Sequence, residues 1–305
     1  MNSVQSAGAR VERACNEPRG RRQRGAARRG CEGLGSLTEY AVCNPIDPWA
    51  EAEFASLDLG DARRVQRVKK MVSQLARKPG ANLSEAWTDR APKKGAYRLV
   101  ENKRVEAQAI REAHSETTWA RMAAFDRVLV VQDTTGVGYS THEAARGLGP
   151  LDHGAGKGYL VHTGLGMTEG GQPLGVAHQE VWVRPPEETG KSEQRRRRPW
   201  PEKESYKWQR TVETVEVRKR AGQEVIVVGD RESDVYGLFS SERARGVQLL
   251  VRSGQNRRVK DEDGKRLWDA VRAAPLAGKV VVEVTRAGGR KGRQAVCEVR
   301  FREVT

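Results

Sequence analysis

The chain has 305 residues, of which 37% are hydrophobic and 31% are charged, and its 55 Lys and Arg residues exceed its 40 Asp and Glu residues by 15. This length allows about two domains with packed cores, and the basic excess favours a polyanionic partner. The four cysteines lack metal-ligand spacing and no apolar run reaches the roughly 18 residues of a membrane span, so a disulfide framework, a zinc site and a membrane protein are not expected. We expect a cytoplasmic protein in a reducing compartment.

The first segment, residues 1–46, is rich in arginine and poor in apolar residues. It contains the run RGRRQRGAARRG at 19–30, and through residue 30 it holds eight arginines against two acids. Such a composition cannot bury enough apolar surface to fold, so it predicts a disordered basic tail.

Residues 47–123 have the periodicity of helices. In DARRVQRVKKMVSQLARKPG, residues 61–80, Asp61 is a candidate N-cap, apolar residues recur at helical spacing, and Pro-Gly ends the pattern. Further helices are predicted near 84–101 and 104–122. The polar face of the first helix is basic, which is typical either of a solvated surface or of one that binds DNA phosphates. Its basic residues are Arg63, Arg64, Arg67, Lys70 and Arg77.

Residues 124–254 switch to an α/β pattern. Three strands without intervening helices predict an antiparallel meander, and the alternation of helix and strand after it predicts parallel pairing. This order is that of a ribonuclease H-like core with a mixed sheet, in which the first and fourth strands are neighbours. The arginine run at 195–198 is expected in a loop, and two further strands suggest part of an antiparallel β-subdomain at 255–305. The predicted strands are 127–134, 158–168, 174–184, 224–229, 247–252, 279–285 and 295–303, and the helices of this part are 203–221 and 234–245.

Two of these strands end on an aspartate, Asp133 in VVQDTTG and Asp230 in VVGDRESD. If the two strands are parallel neighbours, the carboxylates lie at the same edge of the sheet. Paired carboxylates suit Mg²⁺ or Mn²⁺, and two such ions can assist phosphodiester transfer. The alternative is that each aspartate caps the turn that follows it. Asp234 is expected to cap the next helix, and His162 and His178, on predicted strands, are expected to be internal histidines.

Several blocks of the sequence resemble, in order, motifs of the IS-four family of insertion-sequence transposases, especially its Tn-five-like cut-and-paste branch. These blocks include FASLDLGDARR, GAYRLVENKRV, VVQDTTG, GKGYLVHTGL and VVGDRESD. The resemblance runs from Trp49 to the last residue. It implies a bacterial DDE transposase that binds transposon terminal repeats and uses two divalent ions for cleavage and strand transfer.

By motif match, Asp133 and Asp230 correspond to the first two catalytic acids of that family. The arginines Arg63, Arg64, Arg67 and Arg77 correspond to its contacts with the transposon end, and Arg252 is either a phosphate contact or an ion-pair partner. The family's third acid, a glutamate on a helix after the β-subdomain, and its region for pairing into a synaptic dimer have no counterpart in the sequence.

We therefore expect a C-terminally truncated transposase that is catalytically incomplete by itself. Two alternatives stay open: a DNA-end-binding protein that inhibits an intact transposase, and an unrelated ribonuclease H-like nuclease.

Overall fold

The structure is a computed structural model that describes residues 46–139, 141, 144–151, 156–186, 192–260, 266–286, 289 and 291–304. The basic tail expected at residues 1–46 therefore lies outside the described residues, except for Ile46. Within the described part, no helix is long and apolar enough to cross a membrane.

The N-terminal part is helical, as the periodicity predicts. Asp61 caps the second helix by accepting a hydrogen bond of 2.9 Å from the Arg63 amide. The third helix begins later than expected, because Asn82 accepts hydrogen bonds from the amides of Ser84 and Glu85 and closes a separate turn there. The helices are α1 (Pro48–Glu53), α2 (Ala62–Arg77), α3 (Arg90–Val100) and α4 (Ala107–Met122).

A small apolar core holds these helices together. Val68 of α2, Leu99 of α3 and Ala113 of α4 are buried in one cluster with residues that follow α1. Val68 is fully buried, and its neighbours on the same stripe of α2 pack against it. The apolar stripe of α2 thus faces the other helices and leaves the basic face towards solvent.

A mixed sheet forms the second part of the fold. The strands are β1 (Arg127–Gly138), β2 (Gly149–Pro150), β3 (Lys157–Thr168), β4 (Pro173–Trp182), β5 (Glu224–Gly229) and β6 (Val247–Val251). The strand order is β2-β3-β1-β5-β6, and β4 also pairs with β3. Pairing is antiparallel from β1 to β3 and from β3 to β4, and parallel from β1 to β5 and from β5 to β6. The meander and the parallel half are therefore present as predicted, whereas β2 is too short to leave a pattern.

One face of this sheet is packed against helices. Valines at alternate positions of β1 and β5 point to the same face, where they meet Trp119 and Met122 of α4 and Trp208 of α6 (Lys207–Arg218). Gly166 of β3 allows this close packing, because an added Cβ would stand 2.5 Å from the Met122 sulfur. The opposite face carries Asp133.

The remaining elements correct several predictions. Most of the arginine run expected in a loop is helical, within α5 (Ser192–Arg197), and the helix expected at 234–245 is only α7 (Tyr236–Ser240). Helix α7 ends early where the backbone of Ser241 becomes extended, and the Arg243 guanidinium donates to the carbonyls of the last turn. Helix α8 (Leu267–Ala273) was not predicted. The predicted C-terminal strands form an antiparallel hairpin, β7 (Gly278–Val284) with β8 (Arg293–Val299).

Candidate functional site

Asp133 and Asp230 follow directly on paired positions of neighbouring parallel strands. The register of β1 and β5 pairs Val131 with Val228 and Gln132 with Gly229, and each aspartate is the next residue along the chain. Gln132 and Gly229 are buried on the packed face, so alternation directs both aspartates to the opposite face. Adjacent strands are about 4.8 Å apart. The fold therefore brings the two exposed carboxylates side by side at one edge of the sheet.

One carboxylate oxygen of each aspartate accepts a hydrogen bond from the backbone amide of a residue that follows it in the chain. The Thr134 amide donates to Asp133 Oδ1 over 2.7 Å, and the Glu232 amide donates to Asp230 Oδ1 over 2.9 Å. Asp230 thereby caps the short 3₁₀ turn Arg231–Ser233, which is the capping role considered from the sequence. Among the described residues, the second oxygen of each carboxylate has no hydrogen-bond partner. Capping orients these carboxylates and leaves an oxygen of each free for another ligand.

These two carboxylates fit a hard divalent cation. Both are exposed, and both offer the oxygen donors that Mg²⁺ and Mn²⁺ prefer while leaving positions for water and phosphate. Within the described part of the chain, no group of three or more His, Cys, Asp or Glu residues is arranged to hold a metal ion. The pair alone is thus a partial ligand set.

The neighbouring acids have different surroundings. Glu232 is exposed beside Asp230. Asp234, by contrast, is 3% exposed, accepts hydrogen bonds from the Gly254 and Gln255 amides at 2.6 and 2.8 Å, and forms an ion pair with Arg257. The expectation that Asp234 caps the next helix is wrong, because its carboxylate holds the segment after β6 instead.

Two arginines stand at the same edge of the sheet as the aspartates. Arg231 follows Asp230 directly. The Arg252 amide donates to the Gly229 carbonyl over 3.1 Å, which places Arg252 just beyond β6 and next to the end of β5. Both side chains are exposed. This edge therefore combines negative carboxylates with cations that can contact a phosphate.

The predicted basic surface of α2 divides into two sets of residues. The Arg63 side chain is 90% exposed, and Arg67 and Lys70 follow it on the same helical face at positions that are also exposed. Arg64 donates to the Leu59 carbonyl at 2.8 Å, and Arg77 forms an ion pair of 2.5 Å with Asp47. The three exposed cations present a face that can follow a phosphate backbone, whereas Arg64 and Arg77 also brace the helical part.

A buried polar cluster lies beneath the aspartate edge. His162 of β3 is fully buried, and burial together with the charge of Lys207 lowers its pKa to about 3. Its neighbour His178 bonds Thr214 and Glu180. Burial raises the pKa of Glu180, but hydrogen bonds from His178 and Arg210 outweigh this effect and lower the pKa to about 2. The sequence indicated that both histidines are internal, but their strand positions did not reveal their partners.

A second polar cluster, not predicted from the sequence, joins the helical part to the sheet. Glu53 of α1 accepts hydrogen bonds from Arg121 of α4 at 2.6 and 3.1 Å and pairs with His114 at 2.5 Å. Burial opposes ionisation of Glu53, but Arg121 and then His114 lower its pKa below the usual value. His114 also accepts from the Val176 amide of β4. Residues so far apart in the chain give no local signal of this contact.

Comparison with known families bears on the helical part. Residues 46–105 match the family described as transposase DNA-binding, a span that contains α1, α2, α3 and the exposed arginines of α2. The match therefore supports a transposase role for the chain, with DNA as its partner.

Proposed function

We propose that this chain is a DDE-type transposase of the IS-four family, with a ribonuclease H-like core that acts on phosphodiester bonds at transposon ends. One observation carries the chemical part of this proposal, namely the register that sets Asp133 beside Asp230 at the end of two parallel strands. The transposase DNA-binding match at residues 46–105 supports the choice of DNA as substrate.

In this proposal Asp133 and Asp230 together hold Mg²⁺ or Mn²⁺. When bound, two such ions activate an attacking oxygen and stabilise the leaving oxygen of a phosphodiester. The carboxylates are held ready by the backbone amides of Thr134 and Glu232, so little reorganisation is needed on binding. Further ligand positions are left for water, DNA phosphate and a third acid.

DNA recognition is assigned to the basic surfaces. Arg63 and Arg67, extended by Lys70, contact phosphates of a duplex that carries the terminal repeat, while Arg64 and Arg77 support the helix from its flanks. Arg252 and Arg231 contact the phosphate that approaches the aspartates. Such contacts position the duplex and supply affinity without reading its bases.

A cleavage and gel-shift assay tests the proposal. The substrate is a labelled duplex with the terminal repeat that flanks the reading frame, with a scrambled duplex as control, in Mg²⁺ or Mn²⁺. Asp133→Asn and Asp230→Asn should abolish nicking and leave duplex binding unchanged, and Asp269→Asn on the exposed face of α8 should change neither. Nicking that survives both site substitutions contradicts the metal assignment.

A second candidate function follows from the partial ligand set. With two carboxylates and, in the described residues, no group of three His, Cys, Asp or Glu side chains arranged to hold a metal ion, the chain can occupy transposon ends without cutting and so oppose an intact transposase. Specific binding without nicking favours this DNA-end-binding inhibitor. Equal cleavage of the repeat and the scrambled duplex favours an unrelated ribonuclease H-like nuclease.

A further inference from the structure

We propose that His162 is the positioning residue for the Asp133 carboxylate, acting through Thr134. The inference rests on the proposed function, because it concerns the same metal-binding edge. It assigns a role to a side chain that faces away from the site, on the packed side of the sheet.

The first link joins His162 to the carboxylate through one residue. His162 lies opposite Thr134 in the register of β1 and β3, and its Nδ1 is 2.9 Å from the Thr134 hydroxyl. The backbone amide of the same threonine donates to Asp133 Oδ1 over 2.7 Å. The imidazole thus fixes the residue that orients the carboxylate.

The second link joins His162 to Gln132, the residue immediately before Asp133. His162 Nε2 is 3.1 Å from Gln132 Oε1 and 3.1 Å from the Thr211 hydroxyl of α6. One imidazole therefore bonds the residues immediately before and after Asp133.

Because side chains alternate along a strand, the bonds from His162 to Gln132 and Thr134 also determine the orientation of Asp133. Gln132 and Thr134 point to the packed face, so fixing both of them fixes the backbone from which Asp133 points the other way. The ring itself is fully buried and packs edge-on against Trp208, with centroids 4.8 Å apart. Removal of a group that hydrogen-bonds a metal ligand directly commonly changes metal affinity by about 10-fold to 100-fold, and His162 acts one residue further away, so we expect the lower end of this range.

The test compares variants that keep or remove each bond. His162→Phe keeps a planar ring and removes the hydrogen bonds to Thr134, Gln132 and Thr211, and we expect it to weaken Mn²⁺ binding by about 10-fold. His162→Asn can still bond the Thr134 hydroxyl, because its amide group takes the place of Nδ1, and should restore most of the affinity. Affinity is measured by electron paramagnetic resonance of Mn²⁺ with the full chain, and the melting temperature is recorded in parallel.

His178→Phe is the matched control. The His178 ring centroid lies 6.4 Å from that of His162 in the same polar cluster, but His178 bonds Thr214 and Glu180, away from Asp133. We expect this variant to lose stability and to keep its Mn²⁺ affinity. An equal loss of affinity in both phenylalanine variants would mean general loosening of the cluster and would overturn the inference.

The remaining outcomes separate the inference from the proposed function. Unchanged Mn²⁺ affinity in His162→Phe overturns the positioning role alone. If the unaltered chain shows no Mn²⁺ binding that depends on Asp133, the proposed function fails and the positioning role fails with it. Should His162→Phe not fold, Thr134→Val removes the hydroxyl and keeps the amide, and it must weaken Mn²⁺ binding while Thr134→Ser does not.

Discussion

The buried imidazole of His162 should make the stability of this protein depend on pH. Full burial, followed by the charges of Lys207 and His178, lowers its folded pKa to about 3 from an ordinary value of 6.5, while Glu180 opposes the shift and Arg210 adds to it. Because the folded pKa lies below the unfolded one, the unfolded chain takes up the proton first. The free energy of unfolding is therefore highest with respect to His162 above about pH 6.5, and it falls as the pH is lowered from about 6.5 towards about 3.

The magnitude follows from the two pKa values. Each pH unit inside this window costs about 1.4 kcal/mol, so the free energy of unfolding should fall by about 2 kcal/mol between about pH 7.5 and about pH 5.0 through His162 alone. Glu180 adds no loss there, because its folded pKa of about 2 lies below its ordinary value of 4.5 and its contribution is lost only under more acidic conditions.

Urea unfolding at several pH values measures this effect, with His162→Phe as the comparison because phenylalanine cannot titrate. The unaltered chain should lose about 2 kcal/mol more than the variant over that range. The comparison of slopes removes the contribution of every other titrating group that the two proteins share. Parallel slopes would refute the reasoning, since they would mean that His162 is protonated as readily in the folded state as in the unfolded one.

Two further predictions concern DNA binding and packing. Replacing Arg63 and Arg67 together by alanine should lower the slope of log affinity against log salt concentration by about 2, because each phosphate contact contributes about 0.9 to this slope. The control variant Arg272→Ala, on the exposed surface of α8, should leave the slope unchanged. Fluorescence anisotropy over a KCl series measures both slopes, and an unaltered slope in the double variant would remove α2 from the DNA interface. Gly158→Ala should destabilise the fold by about 2 kcal/mol, because the added Cβ would overlap a carbonyl oxygen of β1. The control variant Gly278→Ala, whose added Cβ has no atom near it, should keep the melting temperature of the unaltered chain, and calorimetry measures both variants.

Local patterns were sufficient to predict the main elements. The apolar spacing after Asp61 predicted α2 and its basic face, and the apolar runs before Asp133 and Asp230 predicted β1 and β5. The order of strands and helices predicted parallel pairing of β1 and β5, and with it the common edge of the two aspartates. These features depend on side-chain periodicity and on neighbouring residues, which a sequence displays directly.

Elements with little periodicity were harder to predict. The arginine run in α5 has no apolar spacing, and α7 ends where the Arg243 side chain reaches back to its carbonyls, which no helical pattern reveals. Helix α8 is a short segment of seven residues. For these elements the sequence offers no repeated pattern from which a boundary could be predicted.

By itself, the sequence determined the strand and helix order, the basic face of α2 and the two aspartates that end the apolar runs of β1 and β5. Only the tertiary structure decided which polar groups meet: Asp234 with the segment after β6, and His162 with the residues on both sides of Asp133. The physical reason is that a buried polar group must find a hydrogen-bond partner wherever the packed chain provides one, and that partner can lie far away in the sequence.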